Sequence, residues 1–584
     1  MLAESMPLRA LNRASDWFTQ NGAMAKVPLG IGVCLVAMLL LGPLLAAAIV
    51  IQDTTPLFWS ILVLDTIVLF VLSLLTFGKP AILVGVFILW FALQRVIIAL
   101  LAPHISADLV RLLLAYKESF YLILVAAGFI AVFLRYFWGH RELSPVFVAD
   151  ALAVGFLALL GLQFLLSPAE SPQLIYLRRF AAPVLVYLGG RLLVPRDDQL
   201  KDSVRLLLGV AIAVALFGLI ERFLLDLNFW IDGIEATTFY SKQVESGLLP
   251  ANWLFIYRGV PDGVFISLPL EVPVRRLVST YLEPTTLGSF LALALMLQFF
   301  IPLGKGYSRV FAGLATLLLA VALTATLSRG AMLTVLAGGT LFLLVRFLGS
   351  GWRSLWQSRY VALVPVVILL GFGFILTTFS VSELPGGGGL QDILANRAVS
   401  GLSSPSSQQT PPAIGEPSAP DPGAPISDHP PGSTAEGAST HFKGLTAGFE
   451  EMLEEPLGAG LGAAGGWSET PEVGGESTIG TTAAQLGFPG FLLLSCFLLA
   501  IVASLVQASL QQAKLGDTLK SDLALALAGA MLGLFVVAWF SESTLGLLGN
   551  AFYFLFAGWA ITLLVPASRR LRFSWFPDQG RSSD

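Results

Sequence analysis

Charge is what this chain has least of. Only 12% of its 584 residues are Asp, Glu, Lys or Arg, against 55% hydrophobic residues and a mean hydropathy of +0.79. A soluble protein needs far more charge to cover its surface, so this composition reads as a polytopic membrane protein. Histidine and cysteine are also scarce, at four and two, which argues against a dedicated zinc or iron–sulfur site. Cys34 and Cys496 sit inside apolar runs, the usual setting of a small buried thiol rather than of a disulfide. No basic stripe with interleaved aromatics is present, and the net charge of −4 gives no ground for a nucleic-acid partner. The N-terminus lacks a short apolar run followed by a small-residue cleavage site, so residues 30–50 are expected to be a retained first span.

What is abundant is apolar windows of about 18–25 residues, the length that crosses the hydrocarbon core. They fall at 29–51, 57–77, 81–101, 119–138, 146–166, 174–194, 204–224, 278–302, 308–328, 330–348, 360–380, 484–508, 521–540 and 546–565. The expected fold is therefore all-α, with about 14 transmembrane helices (roughly 12–14). Residues 1–28 form a cytoplasmic segment, 29–380 carry spans 1–11, 381–482 a large extracytoplasmic loop, 483–566 the last three spans, and 567–584 a cytoplasmic tail. Orientation follows the basic residues of short loops. Arg9, Arg13 and Lys26 precede the first span and Arg569, Arg570 and Arg572 follow the last, which puts both termini in the cytoplasm.

Under that count Arg178, Arg179, Arg275, Arg276 and Arg329 land on the outer side, against the usual bias. Two readings stand. Each arginine can snorkel singly at the interface, or the group can serve a shared anionic ligand, since a guanidinium holds phosphate bidentately.

Two outer segments are too long for simple connections. Residues 225–276, with Trp230, Tyr240, Trp253 and Tyr257, are expected to lie along the interface. Within 381–482, the Pro-, Ser- and Gly-rich stretch 401–438 is expected to be disordered, because it cannot bury enough apolar surface to offset its ordering entropy. Residues 439–455 read as an amphipathic helix with Phe442, Leu445, Phe449, Met452 and Leu453 on one face, Ser439 or Thr440 as cap, and Pro456 as stop.

Polar residues in this setting carry the chemistry. Arg276-Leu-Val-Ser-Thr-Tyr281-Leu-Glu283-Pro284 brings an arginine–glutamate pair into an apolar span, where a charge costs about 2.5–3.5 kcal/mol and usually faces a cavity or partner. Leu327-Ser328-Arg329-Gly330-Ala331 marks an outer turn: a tight turn with a snorkelling arginine, or an arginine held for an anion. Glu476-Ser477 precedes the span near 484, and His441 heads the amphipathic helix. Each is a solvated loop residue or a base for an attacking hydroxyl. Gly458-x-Gly460-x-Gly462 lacks the preceding strand of a dinucleotide loop and reads as a flexible loop with close backbone approach. Glu450, Glu451, Glu454 and Glu455 read as the wet face of their helix. Asp65, Gln94 with Arg95, Asp150, and Glu221 with Arg222 are scattered, mostly near span ends, and read as structural pairs or interface residues. A proton-coupled carrier would want its carboxylates in a chain at midplane, and no inverted repeat is visible.

Taken in order, RLVSTYLEPTTLGSFLALAL, LTATLSRGAMLTVLAGG, the long loop, THFKGLTAGFEEMLEEPLGAGLG and ESTIGTTAAQLGFPGFLLL resemble the O-antigen polymerase and ligase superfamily, the Wzy and WaaL type. The resemblance covers roughly 275–500 by motif and the first half by span pattern alone. It implies a GT-C-like glycosyltransferase of the bacterial cytoplasmic membrane, with its active site on the outer face and no cofactor or metal. The donor would be an oligosaccharide on undecaprenyl pyrophosphate, the acceptor a second glycan, and the setting membrane lipid. A chain-length regulator and a flippase of the same pathway would be partners. Arg276, Arg275 and Arg329 would hold the pyrophosphate with Arg178 or Arg179 assisting. Glu476 or His441 would be the base, and Glu283 with Tyr281 would order the arginines or meet sugar. Ligases of the family often carry His-Asn where this chain has Glu476-Ser477, which looks more like the exopolysaccharide polymerases. An O-antigen ligase or protein O-oligosaccharyltransferase remains the alternative within the class, and a lipid-linked glycan flippase or transporter the alternative outside it.

Overall fold

The computed structural model describes residues 80–111, 113–114, 147–167, 171–193, 197–225, 229–246, 265–267, 273–300, 307–357, 366, 369–371, 434–465, 477–541 and 548–564. The expected spans at 29–51, 57–77 and 119–138, most of 360–380, both terminal segments and the stretch 401–433 lie outside them. Helices dominate: α1 (Pro80–Leu101), α2 (Val148–Leu166), α3 (Ser171–Leu192), α4 (Asp197–Leu224), α5 (Ala236–Glu245), α6 (Pro284–Phe300), α7 (Tyr307–Ala325), α8 (Arg329–Gln357), α9 (Thr434–Glu454), α10 (Thr478–Lys514), α11 (Thr518–Ala538) and α12 (Ala551–Leu564). A short antiparallel hairpin, β1 (Phe265–Ser267) and β2 (Pro273–Arg275), pairs Phe265 with Arg275. Among the described residues, six helices are long and apolar enough to cross a membrane, namely α1, α2, α4, α8, α10 and α11, and α6, α7 and α12 are shorter apolar helices.

The bundle closes because its helices meet through residues with little or no side chain. Gly330, Thr334 and Gly338 recur every fourth residue along α8 and face Val537, Gly533 and Gly529 of α11. A Cβ on Gly338 would stand 2.6 Å from the Gly529 carbonyl oxygen, and one on Gly533 would stand 2.3 Å from that of Thr334. Lipid tails are as apolar as leucine, so helices in a membrane gain by backbone approach and dispersion rather than by escape from water. Gly190 of α3 and Gly558 of α12 form a second such seam, against Leu555 and Tyr187.

α10 is broken. Gly487 takes φ 62°, ψ −162°, outside helical space, and Pro489 follows it. A break in a buried helix frees backbone groups that must find partners within the protein. The loop after α9 does this: Ala459 N–H donates to Ala484 O (3.0 Å), Gly460 N–H to Gln485 O (3.1 Å), and Phe488 N–H to Pro456 O (2.9 Å). Gly458 and Gly487 lie so close that a Cβ on either would stand 2.5–2.6 Å from the other's nitrogen. Gly458, Gly460, Gly462 and Gly465 all take positive φ. The glycine run thus serves as a backbone splint for a broken helix.

Structure and expectation differ at several points. The amphipathic helix begins at Thr434, one turn before the expected Ser439 or Thr440 cap, so 434–438 belong to it rather than to a disordered stretch; Ala435 and Glu436 are adequate helix formers. Its buried face is Gly444, Gly448 and Met452, with Leu445 and Phe449 half-buried, while Leu453 is exposed. The span expected over 278–302 is helical only from Pro284, because proline suits a helix start and the residue before it avoids helical geometry. Trp230, expected at an interface, is buried and donates its indole N–H to Glu221. Of the remaining scattered polar residues, Asp150 pairs with Arg191 (2.9 Å) and takes the Tyr187 hydroxyl (2.8 Å), and Gln94 donates to Leu113 O (2.7 Å). Their partners come from other elements, out of reach of local spacing.

Candidate functional site

One end of the bundle gathers the segments singled out by the motifs. Residues 276–283 form a strap between β2 and α6. Leu277 and Tyr281 are buried in the main core of the bundle. Val278 and Leu282 are buried in a second core with Ile98, Ala99, Ile105, Trp230, Ile234 and Phe239. The strap is therefore clamped between the bundle and a cap built by the end of α1, residues 102–111, 113 and 114, the Phe229–Gly233 turn and α5. Beneath it lies Gly218 of α4, where a Cβ would stand 2.6 Å from the Leu277 side chain and 3.0 Å from Ser279 Cβ. Ser279 Oγ donates to Val214 O at 2.7 Å.

The strap rests on the α7–α8 turn. Arg276 is buried, and its Nε donates to Thr326 O at 2.8 Å. The Leu277 N–H donates to Ala325 O at 3.0 Å. Two residues on from Thr326, Ser328 caps α8: its Oγ accepts from Ala331 N (3.4 Å), and its backbone N–H donates to Thr326 Oγ1 (3.2 Å). Arg329, half-buried, opens α8. So Arg276 and Arg329, distant in sequence, are carried by two segments bonded to each other.

The same end receives α10 and α9. Gly330 packs on Val537 near the end of α11. Ser477 caps α10 by accepting from Gly480 N (2.9 Å), and Thr478 donates its N–H (3.2 Å) and Oγ1 (2.6 Å) to Ser541 O, just beyond α11. Gly448 and Gly480 meet backbone to backbone, and Phe449 stacks on Trp539 at 6.0 Å. Glu476 itself lies outside the described residues. His441 belongs to α9, one turn before Gly444, whose carbonyl lies against Gly480. Arg275 ends β2. Only the backbones of His441 and Arg275 are described. Arg178 and Arg179 are half-buried on α3, Arg179 over the Tyr176 ring at 5.8 Å. The α2–α3 junction meets the glycine splint, since Leu461 N–H donates to Ser167 Oγ at 3.0 Å.

Glu283 does not sit in a helix with Arg276, as the spacing had suggested. Its ion-pair partner is Arg95 of α1, at 2.5 Å, and it also accepts from Thr285 Oγ1 (2.7 Å) and Thr286 Oγ1 (2.8 Å). Arg95 reaches the Tyr281 carbonyl as well, at 3.2 Å. Glu283 precedes the apolar helix. Burial would push its carboxyl up, but Arg95 and the two threonine hydroxyls outweigh that and hold it down to about 2. Tyr240 of α5 donates its hydroxyl to Leu282 O. Burial drives that phenol above the usual tyrosine range, with Arg95 opposing, so it stays protonated as a donor.

Backbone strain collects here. Among the described residues, the non-glycine positions with left-handed φ are Glu235 (58°), Ser279 (47°), Leu282 (55°) and Leu327 (50°). Ser279 and Leu282 are in the strap, Leu327 is in the turn beneath it, and Glu235 opens α5. Each costs about 1–3 kcal/mol and persists only where the surroundings over-determine it, a pattern typical of functional sites.

Arg95 and Tyr240 were the participants that sequence reasoning missed as site residues. An arginine inside an apolar window was the signal for the first; nothing local marks the second. Comparison with protein-family models finds no match, and comparison with curated proteins finds none.

Proposed function

We propose that the chain is a membrane glycosyltransferase that polymerises undecaprenyl-pyrophosphate-linked oligosaccharide repeat units on the outer face of the bacterial cytoplasmic membrane. The observation that carries the reading is the bonding of the Arg276 strap to the turn that leads into Arg329. Two guanidiniums on mutually braced backbone suit a pyrophosphate leaving group, whose negative charge grows as its bond to sugar breaks. The motif order supplies the rest of the reading.

In the reaction an acceptor hydroxyl attacks the anomeric carbon of the donor's proximal sugar from the face opposite the pyrophosphate. The new C–O bond forms as the C1–O bond to the pyrophosphate breaks, inverting the centre, and the electron pair leaves on the phosphate oxygen. Arg276 and Arg329 stabilise that charge, with Arg275, Arg178 or Arg179 assisting. Glu476 or His441 takes the hydroxyl proton. The lipid tail stays among the apolar helices.

The test is an assay of purified protein on synthetic lipid-linked repeat units. Chain growth is expected, with Arg329→Ala lowering the rate by about 10²-fold or more, the scale of losing one charge-stabilising donor. Near-normal activity in that variant refutes the assignment. Transfer of preformed chains to lipid A core or protein, without elongation, identifies a ligase instead. Movement of lipid-linked sugar across liposomes at unchanged length identifies a flippase.

A further inference from the structure

We propose that Arg95 and Glu283 are a positioning pair that locks the strap between cap and bundle and so sets where Arg276 stands beside Arg329. The proposal rests on the polymerase reading for what the arginines bind, but not for the lock itself. Arg95 grips the strap at two points, the Glu283 carboxylate and the Tyr281 carbonyl. It comes from α1, which also walls the cap. Tyr240 of α5, from the same cap, holds the intervening Leu282 carbonyl. The backbone turns left-handed at Ser279, just before these holds, and again at Leu282, among them, a shape that the chain leaves unless it is held.

The direction of the strap follows from that shape. Leu277 and Tyr281 point to the bundle, Val278 and Leu282 to the cap. Relaxing Leu282 to ordinary backbone rotates the segment behind Arg276 and withdraws Leu277 N–H and Arg276 Nε from Ala325 and Thr326. Glu283 is already committed to Arg95 and two threonines, which leaves its carboxylate poorly placed to take a proton from substrate. Arg95 and Glu283 act through Arg276 and do not touch the reacting atoms.

The experiment measures amide hydrogen exchange in detergent-solubilised full-length protein, alongside kinetics. Glu283→Gln and Arg95→Met are expected to speed exchange across 276–283 by roughly tenfold or more, with the Asp150–Arg191 end of the bundle unchanged. They are expected to lower kcat with little change in KM, and Arg95→Lys, which keeps the charge, is expected to restore most of both. Should Arg95→Met fail to fold, Glu283→Gln and Tyr240→Phe carry the test, because they remove one hold each with little change in volume. Unchanged exchange over 276–283 in Glu283→Gln overturns the proposal. Lost activity with unchanged exchange also overturns it, since Glu283 then acts on substrate directly. A wild-type protein without transferase activity removes the polymerase reading, while the exchange result still decides the lock.

Discussion

Replacing Gly487 by alanine tests the splinted break in α10. The position holds φ 62°, ψ −162°, a region essentially reserved for glycine, so alanine brings about 1–3 kcal/mol of backbone strain. Its Cβ would stand 2.3 Å from Pro456 O and 2.5 Å from Gly458 N. Both are backbone atoms, and neither can yield alone. Relieving the clash moves the 456–460 loop off the helix and loosens three hydrogen bonds, those of Phe488, Ala459 and Gly460. A buried backbone group left without a partner costs about 1–3 kcal/mol, so two such losses on top of the strain bring the total to about 3–9 kcal/mol. That is comparable with the whole stability of many folded proteins, about 5–15 kcal/mol. Gly487→Ala is therefore expected to unfold far below the wild-type Tm in detergent, or to accumulate poorly. Gly161→Ala is the control: it sits inside α2 with nothing within 4 Å of a built Cβ, and alanine there should be neutral or slightly stabilising. The measurement is thermal unfolding followed by tryptophan fluorescence, which Trp539 reports near the splint. A Gly487→Ala protein melting within a few degrees of Gly161→Ala would refute the reasoning.

Other outcomes follow from the same geometry. Asp150→Ala strands the buried Arg191 guanidinium, which bonds Asp150 and Thr562, and should cost about 3–5 kcal/mol, read as a fall in Tm; the activity of the folded fraction should be unchanged, as the pair lies at the end away from the strap. Gly338→Val should separate α8 from α11 at the Gly529 contact and destabilise by at least about 1–3 kcal/mol; a wild-type melting profile would exclude the seam. Glu283 is depressed from its ordinary value of 4.5 to about 2, so its contribution to stability is complete above about pH 4.5 and is lost as pH falls through about 2. The stability gap between wild type and Glu283→Gln should therefore be flat from pH 8 to 5 and close on acidification, as read by Tm against pH. A gap that closes already near neutrality contradicts the pairing with Arg95.

Much of the fold was legible in the residues. The ends of α1, α2, α3 and α11 fall within a few residues of the apolar windows, because the length of an apolar run is imposed by the hydrocarbon it crosses. Pro456 stops α9, as expected from local backbone chemistry, whereas α10 begins at Thr478 on its Ser477 cap, before the expected 484. The glycine seam of α8 and α11 was in principle visible as small residues at every fourth position. The site was legible only as separate motifs. Nothing in the order of residues says that Arg276 lies on the turn before Arg329.

What the sequence alone determined, then, is the dominantly helical apolar architecture, the candidate arginines and the rough extent of several helices. These depend on interactions within a turn or two of chain, or on the solvent around a whole segment. The tertiary structure decided the rest: that Glu283 answers to Arg95 rather than to Arg276, that the strap is held in left-handed backbone between two cores, and that a glycine loop splints α10. Each of these joins segments far apart in sequence. Such contacts are set by which surfaces pack closely and which buried groups must find partners, and no local pattern encodes that choice.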